Sequence, residues 1–311
     1  MRVVLLSLCL SVSCAHASDL HLLIPGAAGG GWDLTARATG EALAKSGLVE
    51  TVTFENMSGG GGGKAIAHLI ETGRAQTLMV NSTPIVVRSL QGVFPQSHRD
   101  LTPIASMIGD YSTLVVRTQS PIQSLEQLAA IMRKEPRRVA IAGGSVTGGT
   151  DHIVATMVFS AMGTAPNDIK YIPYDAGGKA MGGLLSGEVQ ALSSGYGEVV
   201  DLLDQGYVRL LCVAALERQS FAPETPTCHE GGATGVQFVN WRGFFAAPNA
   251  SPKQVERYQA LLGELQETQA WQQIRSRYGW VELYRPAEHF TALLNEQEQT
   301  LRVQLKELGL L

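Results

Sequence analysis

Short apolar runs alternate with longer stretches of helical spacing along most of the chain. Leu20 to Ile24, apolar except for His21 and closed by Pro25-Gly26, predicts a buried strand. Leu34 to Leu43 has helical spacing, with Asp33 placed to cap it. Thr51 to Phe54 and Thr77 to Val80 predict two more strands, with a helix over Lys64 to Thr72 between them. The alternation continues as strand Leu114 to Val116, helix Leu125 to Arg133 and strand Val139 to Ala142. Ser124 with Gln127 predicts a capping box before that helix. His152 to Met162 predicts a helix ended by Gly163. Strand-like Tyr171-Ile172, Ala191 to Ser193 and Val208 to Ala214 then alternate with helix-like Met181 to Leu185 and Val199 to Leu203. The tail from Ser251 to Leu308 is helical apart from a break near Trp280 to Pro286. Repeated βα units of this kind predict an α/β fold of parallel-rich sheets with helices on both faces.

Length and charge narrow this picture. At 311 residues the chain is long enough for two cores. Crossings between domains are expected at Arg117 to Ser124, which holds a Ser120-Pro121 turn, and at the loop-rich Pro223 to Gly235. Residues 18–118 and 236–311 would then form one discontinuous lobe and 119–235 the other. A net charge of −4 with no basic block argues against nucleic acid or an anionic membrane as partner.

The N-terminus reads as a secretory signal. Arg2 precedes an apolar stretch from Val3 to Val12, and Ala15-His16-Ala17 has the small-x-small form of a cleavage site, so residues 1–17 are expected to be removed. The stretch is shorter than the roughly 20 residues of a spanning helix. A lipoprotein site at Cys14 fits less well, because Ser11 stands where such sites usually carry Leu. Cys9 and Cys14 leave with the signal. Cys212 and Cys228 remain in an oxidising compartment, where they either pair or act as small buried apolar side chains.

The candidate chemistry lies in glycine-rich junctions between strand and helix. Pro25 to Asp33 contains Gly29-Gly30-Gly31-Trp32, which lets several backbone N–H groups converge beside a helix N-terminus. Asp33 and Arg37, four apart, predict a local ion pair, with Arg37 reaching a ligand as the alternative. Asn56-Met57-Ser58 runs into Gly59 to Gly63 and Lys64. This is not a nucleotide loop: Ser58 replaces the first glycine of a Walker motif, Ala65 replaces its hydroxyl residue, and Lys64 replaces the last glycine of a dinucleotide fingerprint. A second backbone anion loop, including Gly59 and Gly60 and with Lys64 as a charge partner, fits better. Gly143 to His152 adds Ser145, Thr147, Gly148, Gly149, Thr150 and His152. It fails as a hydrolase elbow because Thr147 occupies the final glycine position. A Ser145–His152 hydrolase is the weaker alternative, and His152 is more simply a loop-orienting side chain. Two further junctions carry Asp175, Gly177 and Lys179, then Tyr196 and Glu198. Several donor-rich loops spread over two domains predict a small-molecule cleft between them. Neither a histidine pair at ligand spacing nor a CxxC motif is present, so no metal and no cofactor are expected.

These stretches resemble a known family. PGAAGGGWDLTAR at Pro25 to Arg37, Asn56 to Gly63, GGSVTGGTDH at Gly143 to His152, Tyr174 to Lys179, SGYGE at Ser194 to Glu198, Val208 to Arg218 and NWRG at Asn240 to Gly243 are similar to the periplasmic substrate-binding components of tripartite tricarboxylate transporters, the TctC/Bug type. The resemblance spans nearly the whole mature chain and points to the tricarboxylate branch. It implies a two-lobed periplasmic binding fold, type II-like, closing on a carboxylate such as citrate. It also implies membrane permease subunits that accept the ligand, and a monomer. The family's binding loops fall on Gly29 to Asp33, Asn56 to Gly63, Ser82-Thr83 and Ser145 to Thr150. Two departures stand out: Gly183 replaces an Asp found in many Bug proteins, and Lys64 replaces a small or hydroxyl residue. Both would favour a more highly charged anion. A carboxylate-sensing adaptor for a signalling receptor is the alternative that sequence does not separate from transport.

Overall fold

The computed structural model describes residues 19–311, so the expected signal peptide lies outside the described residues. The chain begins with β1 (Leu20–Ile24), α1 (Gly31–Lys45), β2 (Val52–Asn56), α2 (Gly63–Thr72), β3 (Thr77–Ser82) and α3 (Pro84–Leu90). A long strand, β4 (Thr102–Arg117), follows. Next come α4 (Leu125–Lys134), β5 (Ala140–Gly143), α5 (Thr150–Ala161), β6 (Lys170–Pro173), α6 (Gly177–Ser186), β7 (Ala191–Gly195), α7 (Tyr196–Asp204) and β8 (Val208–Val213). The chain closes with β9 (Val239–Ala246), α8 (Pro252–Glu267), α9 (Gln269–Arg277), β10 (Val281–Pro286) and α10 (Ala287–Glu307).

The strands run in the order β2-β1-β3-β9-β4-β7-β5-β6, with β8 and β10 also paired to β4. Both outer groups, β2-β1-β3 and β7-β5-β6, contain the parallel pairs that repeated βα units demand. Between them β4 serves both halves of a two-lobed molecule. Its residues Thr102 to Tyr111 pair with β9, and Ser112 to Val115 pair with β7. The exchange of partners lies inside this strand, upstream of the Arg117 to Ser124 turn. Gly109, weak in strand propensity, is paired on both sides, to Val281 and Trp241, while Asp110 pairs with Asn240 and Ser112 with Gly195.

The inner parallel strands β1, β3, β5 and β7 are buried almost throughout, whereas the edge strands β2 and β6 are partly exposed. Leu22, Ile24, Leu78 and Val80 are fully covered, and α1, α8 and α9 pack over them through Leu43, Leu262 and Trp271. Helices α6 and α7 cover the other half through Leu184 and Val199. The break expected near Trp280 to Pro286 is β10, antiparallel to β4. At Ser124 the side chain accepts the Gln127 N–H, but Gln127 Oε1 accepts from Gln123 N, so the reciprocal half of the box is displaced by one residue.

Cys212 and Cys228 form a disulfide, both sulfurs buried, across a separation of 16 residues. Replacing both by Ala should lower unfolding stability by about 3 kcal/mol, the value for closing a loop of this size. Urea unfolding of the oxidised parent beside the variant measures it.

Candidate functional site

Glycine at the helix starts explains both the site and the misplacement of its borders by periodicity. Helix α1 begins at Gly31, not Leu34, and α6 at Gly177, not Met181. Glycine adds nothing to a hydrophobic repeat, yet it leaves first-turn N–H groups open to a ligand. Asp33 is accordingly not the cap of α1. It lies inside the first turn, where Oδ2 accepts the Gly29 N–H at 3.0 Å and Oδ1 accepts Arg37 Nε at 2.9 Å and Asn56 Nδ2 at 3.0 Å. Asn56 Nδ2 also donates to Gly26 O. The expected Asp33–Arg37 pair thus braces the loop, and Asn56 ties it to the neighbouring strand end.

A cavity of about 370 Å³ opens at the carboxyl ends of β1, β2, β3, β5, β6 and β7, the crevice where α/β sheets receive ligands. Of the residues expected from sequence, Gly30, Gly31, Trp32, Gly59, Gly60, Ser82, Ser145, Gly149, Thr150, Asp175 and Gly177 form its wall. Trp32 is fixed by its indole N–H donating to Ser82 Oγ at 2.9 Å.

The other eight stand behind that wall or outside it. Gly29 O accepts the Gly178 N–H at 2.9 Å, and Asn56 holds the brace described above. Thr83 N donates to Asn240 Oδ1. Thr147 O accepts from Arg88 and Gly148 O from Gln91. His152 Nδ1 accepts the Gly148 N–H at 2.9 Å, so it orients the loop. Burial and the nearby Arg88 charge hold its pKa down, which suits a neutral acceptor. Tyr196 packs on Phe221 and donates to its carbonyl. Lys64 is exposed at the start of α2, beside Gly59, and is not among the residues of the cavity wall. Ser145 Oγ accepts the Asp151 N–H and meets Tyr171 OH at 3.2 Å, contacts that serve the loop instead of a Ser145–His152 pair.

Four charged wall residues had no assigned role from sequence: Arg88, Asp151, Glu198 and Arg242. Arg88 left no local signal, because it sits in α3, a helix the periodicity did not predict. It donates to Gln91 Oε1 and to Thr147 O, joining the two halves across the cavity. Arg242 comes from β9 and is 5% exposed. Its Nη2 lies 3.5 Å from Asp110 Oδ2 and 3.7 Å from Glu198 Oε1, while its Nε has no hydrogen-bond partner among the described residues. Burial raises the carboxyl of Asp151 to about 6 and that of Glu198 to about 8, each shift opposed by Arg242. The backbone is also strained here, since Ala176 at the start of α6 has φ +88°.

Across the cavity mouth Ser58 Oγ donates to Asp175 Oδ1 at 2.8 Å, another polar tie between the halves beside Gly178–Gly29, Arg88–Thr147 and Gln91–Gly148. Among the described residues no cluster of three or more His, Cys, Asp or Glu side chains could hold a metal ion. None of the described helices is long and apolar enough to cross a membrane.

A family model described as tripartite tricarboxylate transporter family receptor matches residues 35–310. The chain belongs to this family of receptors. Receptors of this family and fold are substrate-binding proteins. Curated relatives include the UPF0065 protein in the gbd 5' region of Cupriavidus necator, 23% identical over 94% of this chain and 88% of that protein. A UPF0065 protein of Agrobacterium vitis is 24% identical over 76% of this chain and 67% of its own length. Among solved structures, the periplasmic binding protein BugD superposes with a TM-score of 0.83 at 23% identity, covering 94% of this chain and 98% of BugD. MatC of Rhodopseudomonas palustris with bound malate gives 0.80 at 22% identity, over 93% and 99% of the two chains. R. palustris Rpa4515 with adipate gives 0.86 at 18%, over 94% and 97%. At these identities the structures establish the two-lobed receptor fold.

Proposed function

We propose that this receptor works in the periplasm as a monomer, captures a di- or tricarboxylate of citrate-like size between its lobes, and delivers it to the membrane subunits of a tripartite transporter. The observation that carries this reading is the cavity itself: glycine-led helix starts from both halves converge on it, and Arg88 and Arg242 stand in its wall. The malate and adipate bound to MatC and Rpa4515 support the same ligand class. We take residues 19–111 with 239–311 as one lobe and 112–238 as the other, following the change of strand partners within β4. Ligand contacts from both lobes would favour the closed form over the open one, and the closed form is what the membrane subunits would recognise.

The test is thermal unfolding of ligand-stripped mature protein against citrate, isocitrate, tricarballylate, succinate, malate and adipate. A true ligand should add about 2.7 kcal/mol of stability at a hundredfold excess over its dissociation constant. A panel with no dose-dependent rise would overturn the carboxylate reading.

A further inference from the structure

The charges in this cavity are unusual for an anion receptor. Its wall holds two guanidinium groups, Arg88 and Arg242, against three carboxyl groups, Asp151, Asp175 and Glu198. Arg242 is already shared by Asp110 and Glu198. Asp175 is exposed at the rim, occupied by Ser58 and by Lys179 at 3.5 Å. Glu198 is different. Its side chain is 12% exposed and lies between the starts of α1 and α6. A methyl group added to Gly31 would come 2.7 Å from Glu198 Oε1, and one added to Gly177 would overlap Oε2. The titratable groups facing it are Arg242 from β9, Asp110 from β4 and Asp151 from α5, and the Gly31 N–H faces it from α1. One cation among three buried acids leaves a net negative floor when all are ionised. A ligand carboxylate brought there would meet like charge with water excluded.

We propose that Glu198 is a specificity-determining contact that receives the ligand in its protonated form, as a neutral hydrogen-bond donor to a ligand carboxylate. Binding is then linked to a proton: the ionised receptor, one solvent proton and the fully ionised ligand give the complex, and release returns the proton to solvent. Burial already favours the neutral carboxyl. The ligand carboxylate and the proton together remove the repulsion that either arrangement of bare charges would leave. The unpartnered Nε of Arg242, buried in the same wall, supplies the fixed positive side of the same contact. This inference rests on the carboxylate reading above.

The experiment is calorimetric titration of the mature protein with malate, adipate and citrate at about pH 9, in two buffers of different ionisation enthalpy. These ligands are fully ionised there, so any proton taken up belongs to the protein. About one proton per ligand is expected, with affinity falling roughly tenfold per pH unit above about pH 8. In Glu198→Gln the proton count should drop to near zero and affinity should lose its pH dependence. Binding by the parent protein without proton uptake overturns the inference and leaves the carboxylate reading standing. Proton uptake that persists in folded Glu198→Gln overturns it as well, by moving the proton elsewhere. If none of the three acids binds at about pH 7 or about pH 9, the carboxylate reading fails and the inference falls with it. The proton count of the parent alone decides the matter if the variant does not fold.

Discussion

Arg242→Gln is expected to destabilise the folded protein by about 3–5 kcal/mol at about pH 8, the cost of removing one partner of a buried ion pair. The reason is Asp110. It is 1% exposed, its charge partner is Arg242, and burial already raises its carboxyl above the usual range despite that partner. Gln keeps the length and polarity of the side chain but supplies no charge. Asp110 must then either ionise unpaired or take up a proton on folding. The sign with pH follows. A carboxyl raised in the folded state costs stability as pH climbs from its unfolded value through its folded value. The penalty of Arg242→Gln should therefore be large at about pH 8 and shrink as the solution is acidified. Urea unfolding at about pH 8 and about pH 5 reads both quantities. An equal loss at the two values would show that packing, not charge, accounts for it.

Gly144→Ala should weaken carboxylate binding at least about a hundredfold, which corresponds to about 2.7 kcal/mol. A Cβ on Gly144 would overlap the Gly177 backbone nitrogen and stand 2.6 Å from its Cα. Those atoms are main chain, so no flexible side-chain tip can move aside. The loop after β5 and the start of α6 must separate, and Gly177 also borders the cavity. Overpacking of this kind costs about 1–3 kcal/mol of stability, so the variant should still fold. Gly182→Ala is the control, because a Cβ there meets nothing within 4 Å. Titration calorimetry of both variants separates a closed-off site from a general loss of structure. Equal affinity for the two would show that the loop spacing does not set the binding geometry.

The sequence was most legible where one side chain pattern has one structural solution. Leu20 to Ile24 and Thr77 to Val80 lie in strands as their apolar character requires, and Val139 to Ala142 does so one residue early, β5 being Ala140–Gly143. The glycine-rich junctions correctly marked loops at strand ends, and eleven of the nineteen expected site residues reach the cavity wall. Legibility failed in β4, whose first half mixes Pro103, Ser106, Gly109 and Asp110 and shows no period of two. It failed in α3, too short to display a helical repeat. It failed again at the helix starts, where glycine hides the first turn from any hydrophobic pattern.

By itself the sequence determined the α/β class, the run of βα units and the donor-rich character of the loops. These follow from local periodicity and from glycine's backbone freedom, which depend on neighbours along the chain. Only the tertiary structure decided which charges line the cavity or stand directly behind its wall. Arg88, Asp110, Asp151, Glu198 and Arg242 lie on five different elements, and no spacing along the chain encodes their meeting. The folded sheet brings β4 and β9 side by side at Asp110 and Arg242 and sets the start of α7 beside them. The same burial pushes the carboxyl of Glu198 up to about 8, against the nearby Arg242 charge. It also turns Arg242 from a surface cation into a wall of the site. The charge of a group is written in the sequence, but its energy depends on solvent and partners that folding alone assigns.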